Sequence, residues 1–107
     1  DEIVKSTIVG GATLTKLLGT SAWYAPGASI AYVVDSILNN QNRIIPSSVY
    51  LEGEYGVNDI CIGVPCIIGK QGVVDIVELD LNQEEKSLFS NSVDAVRKMN
   101  ESLGEHI

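Results

Sequence analysis

Histidine is almost missing from this sequence. The only one is His106, beside the last residue, and chain ends are seldom held in a fixed geometry. A general base must lie within hydrogen-bond reach of the proton it takes. His106 is therefore expected to be a solvated tail residue, and no Ser–His–Asp or Cys–His arrangement can be assembled from the chain. Cysteine is scarce too. Cys61 and Cys66 have no metal-ligand spacing around them, and their odd separation in one strand-like run sends them to opposite faces. That opposes a mutual disulfide, and both read as buried thiols of an intracellular protein. Basic charge is short as well: 7 Lys and Arg stand against 14 Asp and Glu, a formal net charge of −7. A nucleic-acid partner needs a basic face that displaces counterions, and an anionic membrane surface is equally disfavoured. There is no apolar run long enough to span a bilayer, no signal-peptide pattern, no internal repeat and no low-complexity segment.

Nucleotide fingerprints are also lacking. No G-x-G-x-x-G spacing occurs. Gly63 to Lys70 imitates a phosphate loop, but five residues separate Gly63 from Gly69 where the motif has four, and Gln71 follows the lysine where a Ser or Thr belongs. Glu52 and Glu54 form the tightest carboxylate pair in a turn. Two carboxylates can divide acid and base roles when their environments differ, yet acidic residues flanking Gly53 in a polar turn are normally solvated, and that is the expectation here.

What is present is a core-forming chain. Of its 107 residues 45% are hydrophobic, enough for one domain with a real core. It begins at Asp1, without a Met, and enters a helical pattern at Ile3, so it reads as a piece of something longer. Ile3, Val4, Ile8, Leu14, Leu17 and Leu18 share one helical face. Gly10 and Gly11 interrupt that pattern, which suggests a kink or a close packing contact, and Gly19 ends it. A second helix is expected from about Pro26, placed at the first helical position, to Asn40, with Ile30, Val33, Val34, Ile37 and Leu38 as its stripe. Asn39-Asn40-Gln41-Asn42 stops it.

The pattern then turns to strands: Arg43 to Leu51, Asp59 to Ile68 and Val73 to Leu81. Pro46 and Pro65 suggest edge positions or bulges. Glu52 to Asn58 reads as a turn and Gly69-Lys70-Gln71-Gly72 as a hairpin connection. A long final helix follows, with Asn82 as N-cap, Glu85 at the capping-box position and Glu84 and Glu85 at the positive end of its dipole. Leu88, Phe89, Val93, Val96, Met99 and Leu103 are its expected buried face. The class is α+β: two helices, a small mostly antiparallel sheet of about three strands, then a long C-terminal helix.

One segment is unlike the rest. Gly19-Thr20-Ser21-Ala22-Trp23-Tyr24-Ala25-Pro26-Gly27-Ala28-Ser29 is a glycine-rich turn that runs straight into a helix, with two aromatics among small residues. Such a turn lets a planar ligand or another backbone come close. Together with Tyr50-Leu51-Glu52-Gly53-Glu54-Tyr55-Gly56 and Gly63-Val64-Pro65-Cys66-Ile67-Ile68-Gly69-Lys70-Gln71-Gly72, it resembles the C-terminal half of the lactate/malate dehydrogenase family, nearest to the lactate-dehydrogenase-like malate dehydrogenases. The likeness extends over nearly the whole chain, with the motifs in family order.

The resemblance implies that residues 1–107 are part of a C-terminal substrate domain whose Rossmann NAD-binding half is absent. The full-length parent would be an NAD-dependent malate dehydrogenase, an oxidoreductase of the tricarboxylic acid cycle. The catalytic His, Asp and Arg would lie upstream, and the fragment alone would be inactive. Two positions carry over. Ala22 matches the position beside the substrate side chain, where vertebrate lactate-type enzymes have threonine; a small residue leaves room for a second carboxylate. Pro26 matches the helix-start position near the nicotinamide ring, where an apolar ring helps exclude water. The plain alternatives are a small turn residue and a helix starter. Lys16, Arg43, Lys70, Arg97 and Lys98 are the obvious cations, and none is assigned to the pocket. The implied partners are a small 2-hydroxy or 2-oxo acid, the chain's own Rossmann domain and further copies in a homo-dimer or homo-tetramer. The implied compartment is the cytoplasm, with the mitochondrial matrix as alternative. Two other readings stand beside this one: a lactate or other 2-hydroxy-acid dehydrogenase, and an oligomerisation fragment without catalysis.

Overall fold

A computed structural model of the chain describes residues 2–104; His106 lies outside them. The elements are α1 (Glu2–Leu18), α2 (Tyr24–Leu38), β1 (Arg43–Glu52), a single 3-10 turn (Glu54–Gly56), β2 (Asn58–Gly69), β3 (Gly72–Ile76) and α3 (Gln83–Gly104). The α+β class and the element order are as the sequence implies. By contact density the chain divides into two units, residues 1–35 and 36–107.

In the first unit α1 runs without interruption through Gly10 and Gly11. A Cβ added at either glycine would meet nothing within 4 Å. The expected kink is thus absent, and no close neighbour among the described residues explains the two glycines. Gly19 ends the helix as expected. Its φ of 68° suits a residue without a Cβ, and its N–H closes on the Thr15 carbonyl at 3.0 Å. The apolar face forms but is not covered: no described α1 residue is buried. The second helix starts at Tyr24, so Pro26 is its third residue rather than its first. Proline is tolerated there because the amides of a first turn have no acceptor within the helix. The helix stops at Leu38, and Asn40 and Asn42 take left-handed backbone conformations that asparagine tolerates.

The second unit holds the core. Its antiparallel sheet has the order β1-β2-β3. β1 and β2 pair along their length from Arg43↔Ile68 to Glu52↔Asn58, with one register shift between Leu51 and Glu52. Strand alternation puts Ile45 and Leu51 of β1 and Ile60, Ile62, Val64, Cys66 and Ile68 of β2 on one buried face, with Val93 of α3. Cys66 is buried and Cys61 exposed. The opposite-face expectation holds, and the reading of Cys61 as a buried thiol does not. Burial pushes the Cys66 thiol above its ordinary pKa.

Pro46 lies on the edge strand, as expected. Pro65 departs from expectation: it sits in the middle of the central strand, opposite Pro46 and without a bulge at that pair. Its cost falls on β3. The Pro65 carbonyl accepts the Val77 N–H at 2.9 Å, but proline has no N–H to return, and β3 ends at Ile76 rather than at Leu81. Gly69 and Gly72 pair across the expected two-residue turn. A Cβ on Gly69 would collide with the Asn42 Oδ1, and the Asn40 Oδ1 next to it accepts the Lys70 N–H at 2.9 Å. The loop that ends α2 therefore braces this hairpin. The phosphate-loop look of Gly63 to Lys70 is a strand and its turn.

The capping box at α3 is made as expected. The Asn82 Oδ1 accepts the Glu85 N–H at 2.9 Å, and the Glu85 carboxylate accepts the Asn82 N–H at 2.9 Å. The expected buried face is only half right. Val93 is buried and Phe89 and Val96 are half-buried, but Leu88, Met99 and Leu103 are 61%, 68% and 58% exposed. At about 100° per residue these form two neighbouring stripes, and only the first is covered. Ser36, near the end of α2, is fully buried. Its hydroxyl donates to the Ile68 carbonyl at 2.6 Å and accepts the Arg43 N–H at 3.4 Å.

Candidate functional site

The segment expected to meet substrate and cofactor is the link between α1 and α2. Gly19 closes one helix, an irregular stretch follows through Trp23, and the Trp23 carbonyl accepts the Gly27 N–H at 2.9 Å as the first turn of α2 forms. Trp23 and Tyr24 stand with ring centroids 6.4 Å apart and planes tilted by 43°. Both project outward, 59% and 82% exposed. Ala22 is half-buried and Pro26 exposed. Residues of this kind offer a small floor, an apolar ring and flat aromatic faces, with a helix N-terminus that favours negative charge. They include no His, Asp, Glu, Lys or Arg.

Other candidates fall away on geometry. The Glu54 carboxylate accepts the Glu52 N–H at 2.7 Å. The backbone N–H groups of Glu52 and of Glu54 itself hold it below the ordinary carboxylate range. Glu54 therefore pins its own turn, and the Glu52–Glu54 pair is not an acid–base couple. The Tyr50 hydroxyl donates to the Asp59 carboxylate at 2.9 Å, which favours the protonated phenol and raises its pKa. Arg97 donates to the Asn58 carbonyl at 2.8 Å. No cluster of His, Cys, Asp and Glu among the described residues could hold a metal ion, and no described helix is long and apolar enough to cross a membrane.

A cavity of about 490 Å³ lies in the second unit, where Tyr55 and Val57, the segment Glu78 to Leu81, and Phe89 and Val93 of α3 meet. Sequence reasoning named Tyr55 only within a motif and gave no role to Tyr55 or to Ser36. Ser36 lies outside the apolar stripe of α2, so helical periodicity gave no signal for it. Tyr55 left no signal, because its partners lie more than twenty positions downstream.

Comparison with known proteins decides the relationship. Residues 1–106 match the model of the lactate/malate dehydrogenase α/β C-terminal domain. The chain belongs to the lactate/malate dehydrogenase family. A malate dehydrogenase of Flavobacterium johnsoniae is 68% identical over 102 residues, 95% of this chain and 33% of that protein. One of Parabacteroides distasonis is 66% identical over 104 residues, again 33% of its length. Among solved structures, a lactate dehydrogenase of Eimeria maxima crystallised with NADH and oxamate superimposes with a TM-score of 0.93 at 45% identity, covering 97% of this chain and 33% of that one. The malate dehydrogenase of Salinibacter ruber gives a TM-score of 0.93 at 41% identity, with 97% of this chain and 34% of its own covered. The chain thus spans about a third of the length of the relatives it matches.

Proposed function

We propose that this chain is the substrate-side part of an NAD-dependent malate dehydrogenase. The observation that carries the reading is the high identity to malate dehydrogenases over almost the whole chain, joined to a methyl side chain at Ala22 in an open turn. A methyl there leaves space for the second carboxylate that distinguishes oxaloacetate from pyruvate. The N-terminal end of α2 next to it favours that negative charge.

The fit to NAD is partial and specific. Pro26 presents an exposed apolar ring in the first turn of α2, a surface suited to a flat nicotinamide. The chain has no glycine-rich dinucleotide fingerprint, so the rest of the cofactor belongs to sequence outside this chain. NAD, when bound, supplies the hydride acceptor. This chain's residues bind and exclude water: Ala22 sets the volume on the substrate side, and Pro26 keeps solvent from the reacting face. Proton transfer is left to residues outside the chain. The chain alone is inactive in this reading, and the full-length protein works as a cytoplasmic homo-oligomer.

The test is Ala22→Thr in the full-length enzyme, with oxaloacetate and pyruvate assayed side by side. The added volume should lower kcat/KM for oxaloacetate by about 10- to 100-fold, the range expected for one or two misplaced heavy atoms in a pocket. Pyruvate turnover should fall less. Equal losses on both substrates would remove Ala22 from specificity. Faster turnover of pyruvate than of oxaloacetate by the unaltered enzyme would replace malate with lactate as the substrate.

A further inference from the structure

We infer that the Tyr55 hydroxyl replaces the backbone N–H that Pro65 lacks, and so acts as a latch that fixes how the chain leaves the sheet and enters α3. In an antiparallel ladder a hydrogen-bonded pair exchanges two bonds. The register Cys66↔Ile76 makes Pro65 and Val77 the next pair. One bond of that pair exists, from the Val77 N–H to the Pro65 carbonyl at 2.9 Å. The return bond cannot form, because proline has no donor. That leaves the carbonyl of half-buried Val77, just past the end of β3, without its ladder partner.

The Val77 carbonyl instead accepts the Tyr55 hydroxyl at 2.6 Å. The Tyr55 hydroxyl oxygen in turn accepts the Leu79 N–H at 3.1 Å. One phenol thus serves as donor and acceptor and takes up two backbone groups that the shortened strand released. Tyr55 is held for this task from several sides. Its own N–H donates to the Glu78 carboxylate at 2.6 Å. Its ring lies 5.2 Å from that of Phe89 on α3. Its φ is +55°, a conformation uncommon for an aromatic residue, which persists where surrounding contacts over-determine it. The latch ties the turn after β1, the segment after β3 and the first half of α3 into one wall of the 490 Å³ cavity.

The test uses the full-length protein and hydrogen exchange resolved to single amides in Tyr55→Phe, Pro65→Ala and the double variant. Phenylalanine keeps the ring and deletes only the hydroxyl. Tyr55→Phe should speed exchange of the Val77 amide about tenfold, because local opening there no longer has to break the bond from the Tyr55 hydroxyl to the Val77 carbonyl. In the Pro65→Ala background, where position 65 has an N–H to offer the Val77 carbonyl, the same change should speed it less than about threefold. Equal acceleration in both backgrounds would overturn the latch, as would no acceleration in Tyr55→Phe. Should Tyr55→Phe fail to fold, folding regained in the double variant supports the latch and continued failure overturns it.

Discussion

Helix α1 and strand β2 are both rich in aliphatic residues, and they end in opposite conditions. Ile3, Ile8 and Leu17 of α1 are 76%, 77% and 79% exposed, whereas Ile60, Val64 and Ile68 of β2 are at most 4% exposed. Patterning decides which residues share a face. It does not supply the surface that covers the face. The strand has α3 and a neighbouring strand within the second unit. Nothing inside the first unit covers α1, and the chain spans only about a third of its relatives.

That contrast can be broken by mutation. The largest effect is expected for Leu51→Ala, at a fully buried position, which should cost about 2–5 kcal/mol by denaturant unfolding. Leu17→Ala should cost less than about 0.5 kcal/mol in the isolated chain. The same change should cost more in the full-length protein, and a matching pair of small values would mean that α1 stays uncovered there. Ser36→Ala comes next. It strands the buried Ile68 carbonyl and should cost about 1–3 kcal/mol, where a similar change at exposed Thr7, whose hydroxyl bonds the Ile3 carbonyl at 2.8 Å within α1, should cost almost nothing. Asn82→Ala removes one arm of the capping box on α3 and should cost about 1 kcal/mol, read as a lower unfolding midpoint with an unchanged slope.

The smallest expected effect follows the Glu54 titration. Its folded-state pKa is depressed by two backbone N–H groups. Its contribution is therefore present above the ordinary carboxylate pKa and fades as pH falls through the depressed folded value. Glu54→Gln should lower the melting temperature slightly at neutral pH and leave it unchanged in strong acid. A constant offset across that range would mean that the charge has no part in pinning the turn.

Legibility followed the range of the interaction. The Asn82–Glu85 box, the Gly19 helix stop and the Gly69–Gly72 turn were all readable, because the partners lie within a few residues of each other. Pro65 misled: a proline in a strand is ordinarily an edge signal, and only the distant Tyr55 hydroxyl shows how a central strand accommodates it. The α3 stripe misled in another way. Leu88, Met99 and Leu103 have the spacing of core residues, but only Phe89, Val93 and Val96 are covered. Of the candidate site, Ala22 and Pro26 were found through motifs in family order, since neither residue carries chemistry of its own.

The sequence by itself determined the element order, the helix caps, the hairpin and the membership in a dehydrogenase family, all of which rest on local backbone preference or on matched motifs. Tertiary structure alone decided which apolar faces are buried, where β3 ends and how Pro65 is tolerated in the centre of the sheet. Those outcomes depend on groups such as Ser36 with Ile68 and Tyr55 with Val77, which lie 32 and 22 positions apart. Pairings at that range are set by packing and hydrogen-bond satisfaction in three dimensions, which no local pattern encodes.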